Sequence, residues 1–123
     1  MGHRPLRGNV LDNNAIVIAD AGGTIRYWSA GAEKAFGHAA WDALGRTLDI
    51  IVPEEYRPAH WRGFRKAIAA GAAAAEGQAT PFPVLRADGE IAVTRGLLTF
   101  LRDPSGRVIA AAVTFETGAA ASR

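Results

Sequence analysis

Apolar and polar positions alternate in two blocks of this chain, and between them lies a stretch whose apolar residues recur at helical spacing. The first block opens with residues 15–20 (AIVIAD), a β-branched run that predicts a buried strand. Ala21-Gly22-Gly23 supplies a turn, and residues 24–28 (TIRYW) alternate, so the two runs pair as a hairpin. Ser29 caps a helix over 30–36 that Gly37 stops, and a second short helix over 38–44 is stopped by Gly45. Residues 48–52 are apolar and end at Pro53, as a short helical turn under the core would. Pro58 opens the longest helix, which runs through Ala70 and ends near Gly71, with 72–75 either an added turn or a loop. The second block holds three strands. Residues 79–86 carry Pro81 and Pro83, which belong at an edge or a bend. After the hairpin turn Ala87-Asp88-Gly89 come 91–101 and 107–116, joined by Asp103-Pro104-Ser105-Gly106.

Two strands, three or four helices and three strands, with hairpins inside each group, predict an α+β fold. Its core is a five-stranded antiparallel sheet with the helices over one face, enclosing a ligand cavity. Residues 1–13 read as a polar, flexible lead-in, 14–117 as the domain, and 118–123 as a flexible tail.

Composition narrows the chemistry. With 14 Lys and Arg against 12 Asp and Glu the net charge is only +2, too little to argue for nucleic acid. There is no cysteine, which excludes disulfides, thiolate metal sites and cysteine nucleophiles. No apolar run is long enough to span a bilayer and no signal peptide is visible, so no membrane partner and a cytoplasmic location are expected. No phosphate loop, HExxH motif or serine elbow is present, and Asp12 and Asp20 have no catalytic partner at a recognisable spacing, so the expectation is not an enzyme. Trp28, Trp41 and Trp61 read as core or rim aromatics, and Glu33 with Lys34 as a surface pair.

On the long helix, residues three or four apart share a face, so His60, Phe64, Ala67, Ile68 and Gly71 form one stripe. Phe64 and Ile68 make it apolar and turn it, with His60, toward the core. A neutral imidazole in an apolar pocket is a good haem-iron ligand, and Ala67 and Gly71 leave room for a flat macrocycle. The same histidine serves equally as a partly buried side chain hydrogen-bonded at the helix start. Arg62, Arg65 and Lys66 lie off the stripe, on what reads as a solvated face.

From residue 13 to 116, the segments AIVIADAGGTIRYWSAGAEKAFG, GRTLDIIVPEEYR, ADGE and DPSGRVIAAAVTFE follow one another in an order that resembles a PAS domain. Within that family the stretch IVPEEYRPAHWRGFRKAIAAG, and Arg57-Pro58-Ala59-His60 above all, resembles the haem-binding domains of bacterial oxygen-sensor kinases and oxygen-sensing phosphodiesterases. The resemblance implies His60 as proximal ligand to the iron of haem b, and Lys66, six positions on, at a haem propionate. It also shows a departure. The register places Thr80 where kinase-type members have an arginine that holds oxygen, and Gln78 where phosphodiesterase-type members have a methionine ligand. Met1 is the only methionine here. Leu98 and Val113, on the last two strands, are the expected apolar distal wall.

The expected function is therefore a sensory domain that binds b-type haem and reports a diatomic gas (O2, CO or NO) or redox state. The alternative is a cofactor-free PAS module for dimerisation, protein interaction or a small organic ligand. A homodimer is expected, as is an output partner or fused effector domain. Photoreceptors of this family that form flavin or coumaroyl adducts through a thiol are excluded by the missing cysteine.

Overall fold

The computed structural model describes residues 14–116; the expected lead-in over 1–13 (with His3 and Asp12) and the tail over 118–123 lie outside them. Five strands form one sheet: β1 (Ala15–Asp20), β2 (Ile25–Trp28), β3 (Ala79–Leu85), β4 (Ile91–Arg102) and β5 (Val108–Phe115). They lie in the order β2-β1-β5-β4-β3, with every neighbouring pair antiparallel. Between β2 and β3 run α1 (Ala30–Phe36), α2 (Ala40–Ala43), two 3-10 turns (Leu48–Ile51 and Glu54–Tyr56) and α3 (Arg57–Ala70). The α+β architecture read from the pattern is the one observed, with the helices on one face of the sheet.

The side-chain alternation decides which face that is. Ala15, Val17 and Ala19 of β1 are buried, while Ile16 and Ile18 are only partly so. Register then carries the inward face across the sheet, since Ala15 pairs with Phe115, Gly96 also pairs with Phe115, and Leu98 pairs with Val113. Two clusters result. Val17, Ile25, Trp28, Ala32, Phe36, Val84 and Phe115 form the larger. Phe100, Val108 and Ala111 form the smaller, and α3 packs on it through Phe64, Ala67 and Ile68.

Ser29 ties α1 to β1. Its hydroxyl accepts from the Ala32 N–H (3.1 Å), capping the helix, accepts from the Ile16 N–H (2.8 Å), and donates to the Asn14 carbonyl (2.9 Å). The chains come so close here that a Cβ at Gly31 would stand 2.2 Å from the Asn14 carbonyl oxygen, so no other residue fits without moving backbone.

Sheet edges are covered in two ways. The 45–48 segment runs along β2, where Gly45 donates to the Ile25 carbonyl, Ile25 to Arg46 and Leu48 to Gly23. On β4 beyond the end of β3, Gly77 donates to the Leu98 carbonyl, and the Glu76 carboxylate accepts from the Phe100 N–H (3.0 Å) and pairs with Arg102 (3.0 Å). Segment 72–75, left open between an added turn and a loop, is a loop, because Gly71 adopts the left-handed conformation (φ 74°) and ends α3.

Three details differ from the sequence reading. α2 is shorter than the expected 38–44: Trp28 Nε1 donates to the His38 carbonyl (2.8 Å), and the Glu33 carboxylate accepts the Ala40 N–H, so the helix starts at Ala40. That bond engages the Glu33 carboxylate, which was expected to sit beside Lys34 at the surface. Trp41 is 83% exposed and belongs to no core cluster. Finally, α3 begins one residue before Pro58, which then occupies the first turn, where its missing N–H costs nothing. No helix among the described residues is long and apolar enough to cross a membrane.

Candidate ligand-binding site

The helix α3 sets the site. Its helical repeat brings His60, Phe64, Ala67 and Ile68 to one side, all partly buried, while Arg62, Arg65 and Lys66 are exposed. His60 stacks on Phe64 (ring centroids 5.9 Å apart, planes at 27°) and meets Trp61 edge-on at 4.9 Å. Farther along, Phe64, Ala67 and Ile68 pack with Leu98 against Phe100, Val108 and Ala111. The stripe therefore reaches the sheet at β4 and β5. Yet no residue of α3 is fully buried, so the helix lies on the sheet rather than in the core.

His60 Nδ1 is buried and has no hydrogen-bond partner among the described residues. The helix-start hydrogen bond that was the alternative reading of this histidine is therefore missing at that nitrogen. Burial lowers the imidazole pKa below its ordinary value of 6.5, and the nearby Asp49 carboxylate opposes the shift without reversing it. The ring is accordingly held neutral, the form that ligates iron.

The other candidate residues are distributed as follows. Leu98 packs on the smaller cluster beside α3, while its cross-strand partner Val113 packs against the larger one. Thr80 is partly buried, on the same side of β3 as Phe82 and Val84, and its hydroxyl donates to the Gln78 carbonyl at 3.0 Å. Gln78 itself is exposed in the turn before β3. Lys66 stands on the outer face of α3, away from the stripe. Phe64, Ala67, Ile68 and Leu98 are thus gathered along one helix–sheet contact, and His60 joins it by stacking on Phe64; Val113 packs on the larger cluster, and Gln78 and Lys66 are at the periphery.

Sequence reasoning missed what fixes the helix start. Trp61 Nε1 donates to Asp49 Oδ1 at 2.7 Å, and its ring lies over Gly23, where a Cβ would come within 2.3 Å. Gly23 also adopts φ 89°, so the β1–β2 turn needs glycine twice over. In the sequence the Gly22-Gly23 pair signals only turn chemistry. Arg57 adds a second anchor, donating to the Val52 (2.9 Å) and Asp49 (3.1 Å) carbonyls.

Chemically, the stripe offers one imidazole in an apolar setting. No group of three or more His, Cys, Asp or Glu side chains able to hold a metal ion occurs among the described residues. One histidine is nonetheless enough for haem, whose macrocycle brings four of the iron's ligands with it. The residues around His60 fit such a group: a neutral ring, an uncommitted nitrogen, and aromatic and small aliphatic neighbours. Seating it requires α3 to part from Leu98 and Phe100, a separation eased by the absence of fully buried residues on the helix.

A family model described as the PAS fold matches residues 10–121. A protein of Azorhizobium caulinodans, described only as uncharacterized, is 32% identical over 88 residues, which are 69% of this chain and 12% of that protein. The oxygen sensor protein DosP of Escherichia coli strain K12 is 26% identical over 83 residues, 68% of this chain and 10% of its own. The chain thus spans about a tenth of the length of these relatives. Among solved structures, the PAS domain of a protein from Colwellia psychrerythraea superposes with a TM-score of 0.73 at 18% identity, covering 91% of this chain and 93% of that one; this likeness is one of fold.

Proposed function

The chain belongs to the PAS family of sensory domains, and from that premise we propose that it binds b-type haem through His60 and senses a diatomic gas or redox state. The observation that carries this reading is the partly buried, neutral imidazole of His60 on the apolar stripe of α3, whose buried Nδ1 has no partner among the described residues. The likeness to a protein named an oxygen sensor supports it. Bound there, haem supplies an iron with an open position for O2, CO or NO.

The chain's own residues would do the rest. His60 would hold the iron, and Phe64, stacked on it, would fix the ring's orientation. Leu98 and Val113 would exclude water from the opposite side. Thr80 presents a hydroxyl already bonded to its own chain, and Gln78 lies outside, so no charged donor faces a bound gas among these candidates. An anion-like bound oxygen is favoured by a charged donor, whereas carbon monoxide gains little from one. The proposed order of preference is therefore CO and NO over a lasting O2 complex. Output would pass to a partner or to an effector domain of a longer protein.

The test is an absorption spectrum of the protein expressed with haem supplied. A Soret band lost or weakened in His60→Ala is expected, and a wild-type domain that stays colourless after haem titration would refute the reading. The second reading is a cofactor-free module that pairs through its sheet. It is favoured by the outer face of β4, where Ile91, Val93, Leu97 and Leu101 alternate and are all exposed, Val93 to 72%. A colourless protein would leave this reading in place.

A further inference from the structure

Three buried side-chain nitrogens lack a hydrogen-bond partner among the described residues. One is His60 Nδ1. The other two, His38 Nε2 and Arg86 Nε, belong to residues that line a single open cleft of about 450 Å³. The cleft lies between the end of the α1–α2 connection, the first 3-10 turn, the start of α3 and the β3–β4 hairpin. Buried polar groups are paired in the great majority of folded proteins, so two such atoms on residues beside one cleft mark the place where a further acceptor would be accommodated.

The charges of the cleft wall say what that partner is. Arg46, Arg57 and Arg86 face a single carboxylate, Asp49. Asp49 is already engaged, accepting from Trp61 Nε1 at 2.7 Å with Arg57 Nε 3.8 Å away. Arg57 is held in place by the Val52 and Asp49 carbonyls. The remaining two guanidinium groups are poorly matched. Arg46 is 3.9 Å from Asp42, both side chains being about half exposed. Arg86 is 3.6 Å from Asp88, whose Oδ1 already accepts from the Glu90 N–H at 2.9 Å. Donors exceed free acceptors on every side.

We infer that this cleft binds a small oxyanion, a ligand carrying a carboxylate or phosphate group, with Arg46 and Arg86 as its two guanidinium forks. A planar guanidinium matches either group with paired, charge-assisted hydrogen bonds. Arg57, fixed by backbone carbonyls, holds positive charge at the back of the cleft without having to move. The two forks, Arg46 and Arg86, lie outside α3, so their part in this site can be tested apart from the haem reading.

The experiment titrates the whole chain, at constant ionic strength, with inorganic phosphate and separately with succinate, following backbone amide shifts by NMR. Saturable shifts at Thr47, Ala87 and Gly89 are expected with at least one of the two, and which one saturates tells phosphate from carboxylate recognition. Arg46→Gln and Arg86→Gln should each weaken binding by about tenfold or more, the loss of one charge-assisted contact. Arg65→Gln, on the exposed face of α3, should leave it unchanged. If Arg86→Gln fails to fold, Arg46→Gln decides alone, because its side chain is about half exposed and belongs to no core cluster. Shifts that never saturate, or shifts equal in wild type and both arginine variants, would each overturn the inference.

Discussion

The two ends of the helical layer are built on opposite principles. At one end α1 is fastened to β1 through Ser29, Gly31 lies against the Asn14 carbonyl, and Phe36 is 1% exposed in edge-on contact with Trp28 and Phe115. At the other end α3, twice as long, has no fully buried residue and touches the sheet through half-buried Phe64, Ala67 and Ile68. Burial is what holds a helix to a sheet, so the first end is the part that specifies the fold and the second is the part that can yield. A sensory domain needs both: a frame that does not respond, and an element whose position depends on what is bound beneath it.

The largest effect should come from the frame. Phe36→Ala removes a ring from a closed, close-packed site, and a change of this kind costs about 3–5 kcal/mol. That is a large share of the stability of a domain of this size. Chemical denaturation should show the midpoint collapsing, or no folded protein at all. A loss below about 1 kcal/mol would mean that the contrast between the two ends has been drawn wrongly.

That contrast was only half legible in the chain. The strands and hairpins were, because β-branched alternation interrupted by Ala21-Gly22-Gly23, Ala87-Asp88-Gly89 and Asp103-Pro104-Ser105-Gly106 admits few other structures. The stripe His60, Phe64, Ala67 and Ile68 was legible too, since helical periodicity survives any packing. How deeply the stripe would sink was not. Periodicity says which face turns inward, whereas depth depends on the side chains opposite, here Leu98 and Phe100, some thirty residues away in sequence. The same holds for Trp61 over Gly23 and for the cleft of Arg46, Arg57 and Arg86. These are contacts between residues distant in the chain, with no local pattern to announce them. Trp28 and Trp41 show how little type alone decides: one is buried, the other 83% exposed.

At the yielding end the matching substitution should cost less. Phe64→Ala starts from a partly buried ring and leaves an open notch rather than a closed cavity, so about 1–2 kcal/mol is expected in the haem-free protein. Its effect on ligand should be the larger one, because the ring stacked on His60 is gone. Haem titration of Phe64→Ala against wild type, alongside denaturation of both, separates these readouts. Equal losses of stability in Phe36→Ala and Phe64→Ala would erase the distinction between frame and sensor.

The smallest effect is electrostatic and comes from His60 itself. Its pKa is lowered in the folded protein, chiefly by burial, so the folded state resists protonation that the unfolded chain, at the ordinary 6.5, accepts freely. As pH falls through that value, the unfolded state binds more protons than the folded one, and stability falls with it. Above it, both states hold a neutral ring and the contribution is absent. The carboxylates with lowered pKa values, Asp20, Asp103 and Glu76, work in a separate window: they stabilise above the ordinary carboxylate range and lose that contribution only as pH falls through it. Thermal melts of the haem-free protein between pH 7.5 and 5.5, a window chosen about one unit either side of the ordinary histidine value, should therefore show a modest fall in Tm. In His60→Phe that fall should be reduced, since the ring remains and the charge cannot form. A fall of the same size in both proteins would mean that His60 is solvated in the folded state, and the end of the helix that holds it would then be more open than its buried Nδ1 implies.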